Sequence, residues 1–169
     1  MLTIRPARPD DQAYLLALTE RLAAFPIPQW RTPAEIAEAD QRLLREALES
    51  PRDDAFIGVA ETRPDDRLGY LFATTCADYF TGAPQAHIEV LAVEQHAEGR
   101  GVAGALLKAV EGWARSRGYA SVTLNVFATN RRARGLYEHV GYQEETLHYF
   151  KRLDEREDPG VPPEGGSGS

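Results

Sequence analysis

The sequence predicts an α/β domain with helices packed on a mixed β-sheet. Short runs rich in β-branched and aromatic residues recur along the chain, and four other segments have helical spacing or helix caps. A strand–helix–strand unit near the end of the chain lies between further predicted strands, which requires both parallel and antiparallel pairing. We therefore expect a twisted sheet of about six to seven strands flanked by about four helices. The length of 169 residues suits one domain.

The first 50 residues predict one strand and two helices. "LTIR" (2–5) is typical of a short strand, and Asp10 is expected to cap a helix with Leu15, Leu18 and Leu22 on one face. After the proline break in "FPIPQW", Thr32 and Glu35 have the spacing of a capping box. The apolar positions predicted to point inward from this second helix are Ile36, Leu43, Leu44, Ala47 and Leu48.

The remainder of the domain predicts a hairpin followed by a βαβ unit. "AFIGVAE" and "LGYLFAT" flank the turn "RPDD", and "AHIEVLAV" follows as the next strand. The long helix after it should stop at Gly118, because glycine readily adopts the left-handed conformation that ends helices. The chain continues with the strand "SVTLNVF", a short helix from Asn130 to about Val140 closed by Gly141, and the last strand "EETLHYFKR".

Composition excludes several functional classes. The formal net charge of −7 argues against a nucleic-acid binder, and the acids are concentrated in the Pro/Gly/Ser-rich segment 154–169. We expect residues 1–153 to form the domain and 154–169 to be a disordered acidic tail. The single cysteine and the absence of paired histidine spacing predict no metal site. No apolar stretch has the length of a membrane span or signal peptide, so the expected location is cytoplasmic.

The stretch "EGRGVAG" (98–104) places glycines immediately before the long helix. Glycine lets the backbone approach a ligand closely, and amides that lead into a helix N-terminus attract anions such as a diphosphate. The alternative interpretation is a simple surface turn. Neither the nucleotide-binding pattern G-x-x-x-x-G-K-[ST] nor a complete dinucleotide-binding fingerprint is present.

Two motifs in the second half of the chain together resemble the GCN5-related N-acetyltransferase (GNAT) superfamily. "LAVEQHAEGRGVAGALL" is similar to that family's pyrophosphate-binding motif, with Gly101 and Ala103 at the glycine and small-residue positions. Glu98 departs from the motif, because the family usually has arginine or glutamine there. "LNVFATNRRARGLYEHVGY" resembles the following strand and helix of the family, through Asn130 and Tyr137 among others.

The resemblance implies acetyl-CoA as co-substrate and a set of residues that bind it. The amides of the loop would hold the diphosphate, and no proline interrupts them: Glu98, Gly99, Arg100, Gly101, Val102, Ala103 and Gly104. The strand edge Leu91, Ala92 and Val93 and the Asn130 side chain would bind the pantetheine arm. Arg131, Arg132 and Arg134 would reach the CoA phosphates, with a solvated helix face as the alternative for at least two of them. Asn130 also suits an N-cap. We expect the Glu98 side chain to face solvent, with Arg100 offsetting its charge.

Acetyl transfer to an amine needs a base for the ammonium proton and an acid for the departing thiolate. By resemblance Tyr137 is the candidate acid, against an interpretation as a core aromatic residue. Glu89 is the candidate base, with His87 or bulk water as alternatives. Strand alternation predicts that His87, Glu89, Leu91 and Val93 share one face.

The sequence thus predicts an acetyl-CoA-dependent N-acetyltransferase acting on a primary amine, either a small molecule or a protein amine. The alternative is a catalytically inactive acyl-CoA-binding domain that acts as a sensor or interaction module. O-acyl transfer and a longer acyl donor also fit the motifs, and homodimers are common in the family. Acceptor specificity is expected to lie around residues 25–31 and 75–85, which contain Phe25, Trp30, Tyr79 and Phe80.

Overall fold

A five-stranded mixed sheet forms the centre of the part of the chain that the computed structural model describes, residues 1–153. Its strands follow the order β1-β2-β3-β4-β5, with antiparallel pairing throughout except between β4 and β5, which are parallel. The strands are β1 (Thr3–Pro6), β2 (Phe56–Glu61), β3 (Arg67–Ala77), β4 (Pro84–Val93) and β5 (Val122–Leu124). The predicted acidic tail, 154–169, lies outside the described residues.

Local sequence signals mark several ends of the α-helices within residues 1–153. The helices are α1 (Gln12–Thr19), α2 (Pro33–Glu49), α3 (Val102–Ser116) and α4 (Arg131–His139). The predicted capping box of α2 is formed: Thr32 Oγ1 accepts from the Glu35 amide at 3.2 Å, and the Thr32 amide donates to Glu35 Oε2 at 2.8 Å. Gly118 and Gly141 follow α3 and α4 with φ of 74° and 97°, so both predicted glycine stops are confirmed.

The helices pack on both faces of the sheet. On one face, Leu106 and Val110 of α3 pack against sheet residues that include Leu71 and Ile88. On the other face, Leu15 of α1 and Leu44 of α2 pack against Tyr70, Phe72, Val90 and Ala92. This layered arrangement confirms the predicted α/β fold class.

A β-bulge in β4 changes the direction of its side chains. Phe72 of β3 lies opposite Val90, but the next residue, Ala73, lies opposite Ile88, so Glu89 has no partner in the register. Ile88, Leu91 and Val93 consequently pack on the α3 face, while Val90 and Ala92 pack on the opposite face.

The predicted common face of His87, Glu89, Leu91 and Val93 is therefore wrong. Thr74, which pairs with His87, donates a hydrogen bond to Glu89, and so these two candidate bases lie on the α1–α2 face. Leu91 and Val93 lie on the α3 face. The inserted residue at the bulge is the cause, because it shifts the two-residue alternation.

Several predicted details of the elements differ from the structure. Asp10 does not cap α1; the short 3-10 turn Pro9–Asp11 precedes the helix, and the Asp11 carboxylate accepts from the Arg8 amide at 2.7 Å. Leu43 is 41% exposed instead of facing inward. The predicted last strand, "EETLHYFKR", is not a strand, and β5 is shorter than predicted. The described sheet therefore has five strands instead of six to seven, because the last predicted strand does not form and so pairs with no neighbour.

Candidate active site

The glycine-rich loop before α3 adopts a backbone conformation that favours glycine. Gly99 and Gly101 have φ of 72° and 80°, and Gly101 is the N-cap of α3. A Cβ atom added at Gly99, Gly101 or Gly104 would meet no protein atom within 4 Å. The space in front of the loop is therefore open. Gly99 and Gly101 are favoured there by the left-handed backbone conformation and not by a lack of room for a side chain.

The loop leaves a group of backbone amides free at the start of α3. The amides of Glu98 and Arg100 donate to Gln95 O and Ala97 O, both at 3.3 Å, so the expectation that every amide is available is wrong at these two positions. Within residues 1–153, the structure gives no acceptor to five others: Gly99, Gly101, Val102, Ala103 and Gly104. Free amides at the positive end of a 15-residue helix suit an anionic group.

The Glu98 side chain was predicted to face solvent, but in the structure it is mostly covered and forms two ion pairs. Its Oε1 accepts from Arg21 Nη2 at 3.1 Å and its Oε2 accepts from Arg132 Nη1 at 2.7 Å, while the side chain is 29% exposed. Arg21 and Arg132, which come from other segments of the fold, compensate the charge of the Glu98 carboxylate in place of the predicted Arg100. A cavity of about 380 Å³ lies beside the loop, lined by Arg21, Ala24, Gln95, Glu98 and Arg132.

The sheet opens next to Glu89. Parallel pairing between β4 and β5 covers Ala86 to Ile88 and stops where Ile88 meets Leu124. Among the strands of residues 1–153, none pairs with the outer edge of Leu91–Val93. This part of the β4 edge, called the gap in the sheet below, is therefore without a paired strand within residues 1–153.

Tyr137 lies on α4, in the apolar layer on the α3 face. Its ring is 5.9 Å from the ring of Tyr142, and burial raises the pKa of Tyr137 to about 12. In the described part of the chain its hydroxyl has no hydrogen-bond partner. The phenol is therefore protonated at neutral pH, as a general acid must be.

Asn130 caps α4 as expected. Its Oδ1 accepts from the Ala133 amide at 3.2 Å, which satisfies one free donor of the helix. Of the neighbouring arginines, Arg134 pairs with Glu144 and Arg132 with Glu98, so only Arg132 is held at the glycine-rich loop.

The candidate bases lie on the opposite face of the sheet from Tyr137. Glu89 Oε1 accepts from Thr74 Oγ1 at 2.7 Å, and His87 Nδ1 is 2.8 Å from Thr123 Oγ1. The structure thus brings His87 and Glu89 together and separates both from Tyr137 by the thickness of the sheet.

Sequence reasoning missed Asp40, the acid of α2 that interacts with Glu89. Burial, and then the charge of Glu89, raise the pKa of Asp40 to about 6. The signal was present in the sequence: Asp40 stands four residues after Ile36 and four before Leu44, both of which are buried on the sheet-facing side of α2.

Aromatic residues of the irregular segments contact one another near the second half of the chain. Phe25 lies 5.4 Å from Phe127 and Trp30 stacks on Phe150 at 5.2 Å, measured between ring centroids. Tyr79 and Phe80, by contrast, pack only against each other among these rings and are 92% and 71% exposed. None of the helices within 1–153 has the length and apolar character needed to cross a membrane.

Sequence comparison identifies one matching family and related bacterial proteins. The profile of the Acetyltransferase (GNAT) family matches residues 15–142. The uncharacterized N-acetyltransferase YhfO of Bacillus subtilis (strain 168) is 29% identical over 153 residues, which cover 88% of this chain and 95% of YhfO. The uncharacterized N-acetyltransferase YycN of the same organism is 44% identical over 55 residues, 32% of this chain and 35% of YycN.

Solved structures share the fold. A putative acetyl transferase from Pyrococcus furiosus superposes with a TM-score of 0.73 and 25% identity, over 90% of this chain and all of the other. The aminoglycoside N-acetyltransferase AAC(6')-Iy in complex with CoA has a TM-score of 0.70 and 21% identity, over 90% of this chain and 95% of its own.

Proposed function

Because the chain belongs to the Acetyltransferase (GNAT) family, we propose that it moves the acetyl group of acetyl-CoA to a primary amine by direct attack on the thioester. The acceptor is a small-molecule amine or an exposed protein amine. The observation that carries the proposal is the group of free amides at the start of α3, which faces open space beside the gap in the sheet. Acetyl-CoA supplies the anionic diphosphate that fits these amides and the thioester that reacts.

In this proposal one set of residues binds acetyl-CoA, the acetyl donor, and another acts on the amine, the acetyl acceptor. The amides of Gly99 and Gly101–Gly104 hold the diphosphate, and the free edge of Leu91–Val93 holds the pantetheine arm and orients the acetyl carbonyl. Asn130 and Arg132 support the donor from α4. Gly99, Gly101 and Gly104 present no Cβ atom to the ligand.

Glu89 and Tyr137 move the protons. Glu89 accepts the proton of the incoming ammonium group, directly or through water, with His87 as the neighbouring alternative. The neutral amine nitrogen then bonds to the acetyl carbon, the carbon–sulfur bond breaks, and the Tyr137 hydroxyl donates its proton to the departing sulfur. The second proton that the nitrogen loses on becoming an amide passes through water to the Tyr137 phenolate, and Glu89 releases the first to solvent. The location of these groups on opposite faces suits attack from one side of the carbonyl and departure on the other.

The test is thiol release from acetyl-CoA with a panel of polyamines, aminoglycosides and peptides. Tyr137→Phe should lower kcat by about 10²- to 10⁴-fold, the usual contribution of a general acid. Since no described residue bonds to its hydroxyl, this variant should keep wild-type stability and CoA affinity. Tyr142→Phe is the matched control, because its ring lies in the same layer and its hydroxyl donates to Glu111.

Thiol release, measured together with CoA binding, decides between the proposal and the inactive-domain alternative. CoA binding without thiol release for any amine would favour a sensor or interaction module. Full turnover by Tyr137→Phe would remove Tyr137 from the acid role while leaving acetyl transfer itself in place.

A further inference from the structure

Glu98 joins two arginines that come from distant segments of the chain. Arg21 belongs to the short 3-10 turn Glu20–Ala23 after α1, and Arg132 to the first turn of α4. Each carboxylate oxygen of Glu98 accepts one guanidinium donor, at 3.1 Å from Arg21 and 2.7 Å from Arg132. The side chains of Arg21 and Glu98 are 30% and 29% exposed, so the first pair is partly shielded from water.

The two arginines reverse the charge that Glu98 alone would place at the loop. One carboxylate and two guanidinium groups sum to a positive cluster next to the free amides. A guanidinium has five N–H donors, and Glu98 engages one from each arginine, so donors remain on both. The cavity of about 380 Å³ lined by Arg21, Glu98 and Arg132 gives an anion access to them.

We propose that Arg21 binds the diphosphate of the donor and that Glu98 is a positioning residue that holds Arg21 and Arg132 at the loop. An arginine or glutamine at position 98 would give side-chain hydrogen-bond donors at the loop. In this chain Arg132 of α4 and Arg21 of the turn after α1 supply such donors instead. Arg21 acquires this role because a guanidinium matches the geometry of phosphate oxygens. The inference rests on the proposed use of acetyl-CoA.

Calorimetric titration of the full chain with CoA and with dephospho-CoA tests the assignment. Arg21→Gln should weaken both ligands about 10-fold and reduce the salt dependence of binding, as expected for loss of one charge-assisted phosphate contact. Arg63→Gln is the control for net charge: this arginine, in the β2–β3 turn, is 81% exposed, and its loss should change affinity less than about 2-fold. Circular dichroism checks that each variant is folded.

The role of Glu98 is tested by combining substitutions. In a Glu98→Ala background, which adds no donor at position 98, Arg21→Gln should cost less than about 3-fold, because Arg21 is no longer fixed at the loop. An undiminished 10-fold loss there would overturn the positioning role. An Arg21→Gln effect equal to that of Arg63→Gln would overturn the contact, and a loss seen with CoA but not with dephospho-CoA would overturn its assignment to the diphosphate.

The outcomes also separate this inference from the proposed function. Wild-type protein that binds CoA while Arg21→Gln binds equally well refutes only the role of Arg21. Wild-type protein that binds neither CoA nor dephospho-CoA refutes the proposed donor, and the inference with it.

Discussion

Replacing Asp11 by asparagine should destabilise the domain by about 3 kcal/mol at pH 7, because it breaks a buried charge network. The Asp11 carboxylate has no exposed surface. It accepts from Arg5 Nη1 at 2.7 Å and Nη2 at 3.0 Å, from Arg67 Nε at 2.7 Å and from the Arg8 amide at 2.7 Å. These contacts join β1, the start of α1 and β3.

The magnitude follows from the pKa of Asp11. Burial by itself would raise that pKa, but hydrogen bonds from Arg5, from the Arg8 amide and from Arg67 outweigh it and lower the value from 3.8 to about 2. This difference corresponds to about 2.5 kcal/mol of stability at neutral pH. The neutral amide of the variant would also remove the buried counter-charge that Arg5 and Arg67 share. Arg5 keeps Glu61, and Arg67 keeps the exposed Asp10 and Asp65, so the total loss should be about 3 kcal/mol.

The pH dependence has a definite sign. Because the pKa of Asp11 is lower in the folded state, its contribution is complete above the unfolded value of 3.8 and disappears as the pH falls through about 2. Urea unfolding of Asp11→Asn and wild type, followed by tryptophan fluorescence, should therefore differ strongly at pH 7 and much less near pH 2. The control is Asp10→Asn, whose native carboxylate is 68% exposed and 3.9 Å from Arg67; it should change stability by less than about 1 kcal/mol. A difference below about 1 kcal/mol for Asp11→Asn at pH 7 would refute the reasoning.

Two further predictions concern Glu89 and Asp40, two acids on the α1–α2 face of the sheet. Glu89→Gln should lower kcat/KM much more at pH 7 than at pH 9, where more of the amine is already neutral; equal losses in a pH–rate profile would remove Glu89 as the base. Asp40→Asn should stabilise the protein at pH 8 but not at pH 4. The raised pKa of Asp40, about 6, means that the folded state binds this proton more tightly, so wild-type stability falls as the pH rises from about 4 to 6. Urea midpoints at both pH values measure the effect, and a gain of equal size at pH 4 would contradict it.

The sequence predicted those features that depend on neighbours in the chain. The capping box at Thr32 and Glu35 and the helix ends at Gly118 and Gly141 depend on contacts within a few residues, and all four residues have the predicted role. The position of the glycine-rich loop was predictable for the same reason, because Gly101 is the N-cap of the helix α3 that follows it.

Features that depend on distant partners were not predictable in this way. The direction of Glu89 depends on the register between β3 and β4, and a bulge leaves no mark in a sequence of alternating residues. Glu98 finds Arg21, which stands 77 positions earlier, and Arg132, 34 positions later. The segment predicted as a last strand has suitable residues, but strand formation also requires a neighbouring edge long enough to pair with.

The bulge at Glu89 divides β4 into two parts whose side-chain directions are set separately. His87 precedes the bulge and Glu89 is its inserted residue, while Leu91–Val93 after it present the edge proposed for the donor. Because the inserted residue resets the alternation, substitutions at His87 or Glu89 leave the packing of Leu91 and Val93 against α3 intact. A substitution at His87 therefore changes what the α1–α2 face presents, while the edge proposed for acetyl-CoA keeps its direction.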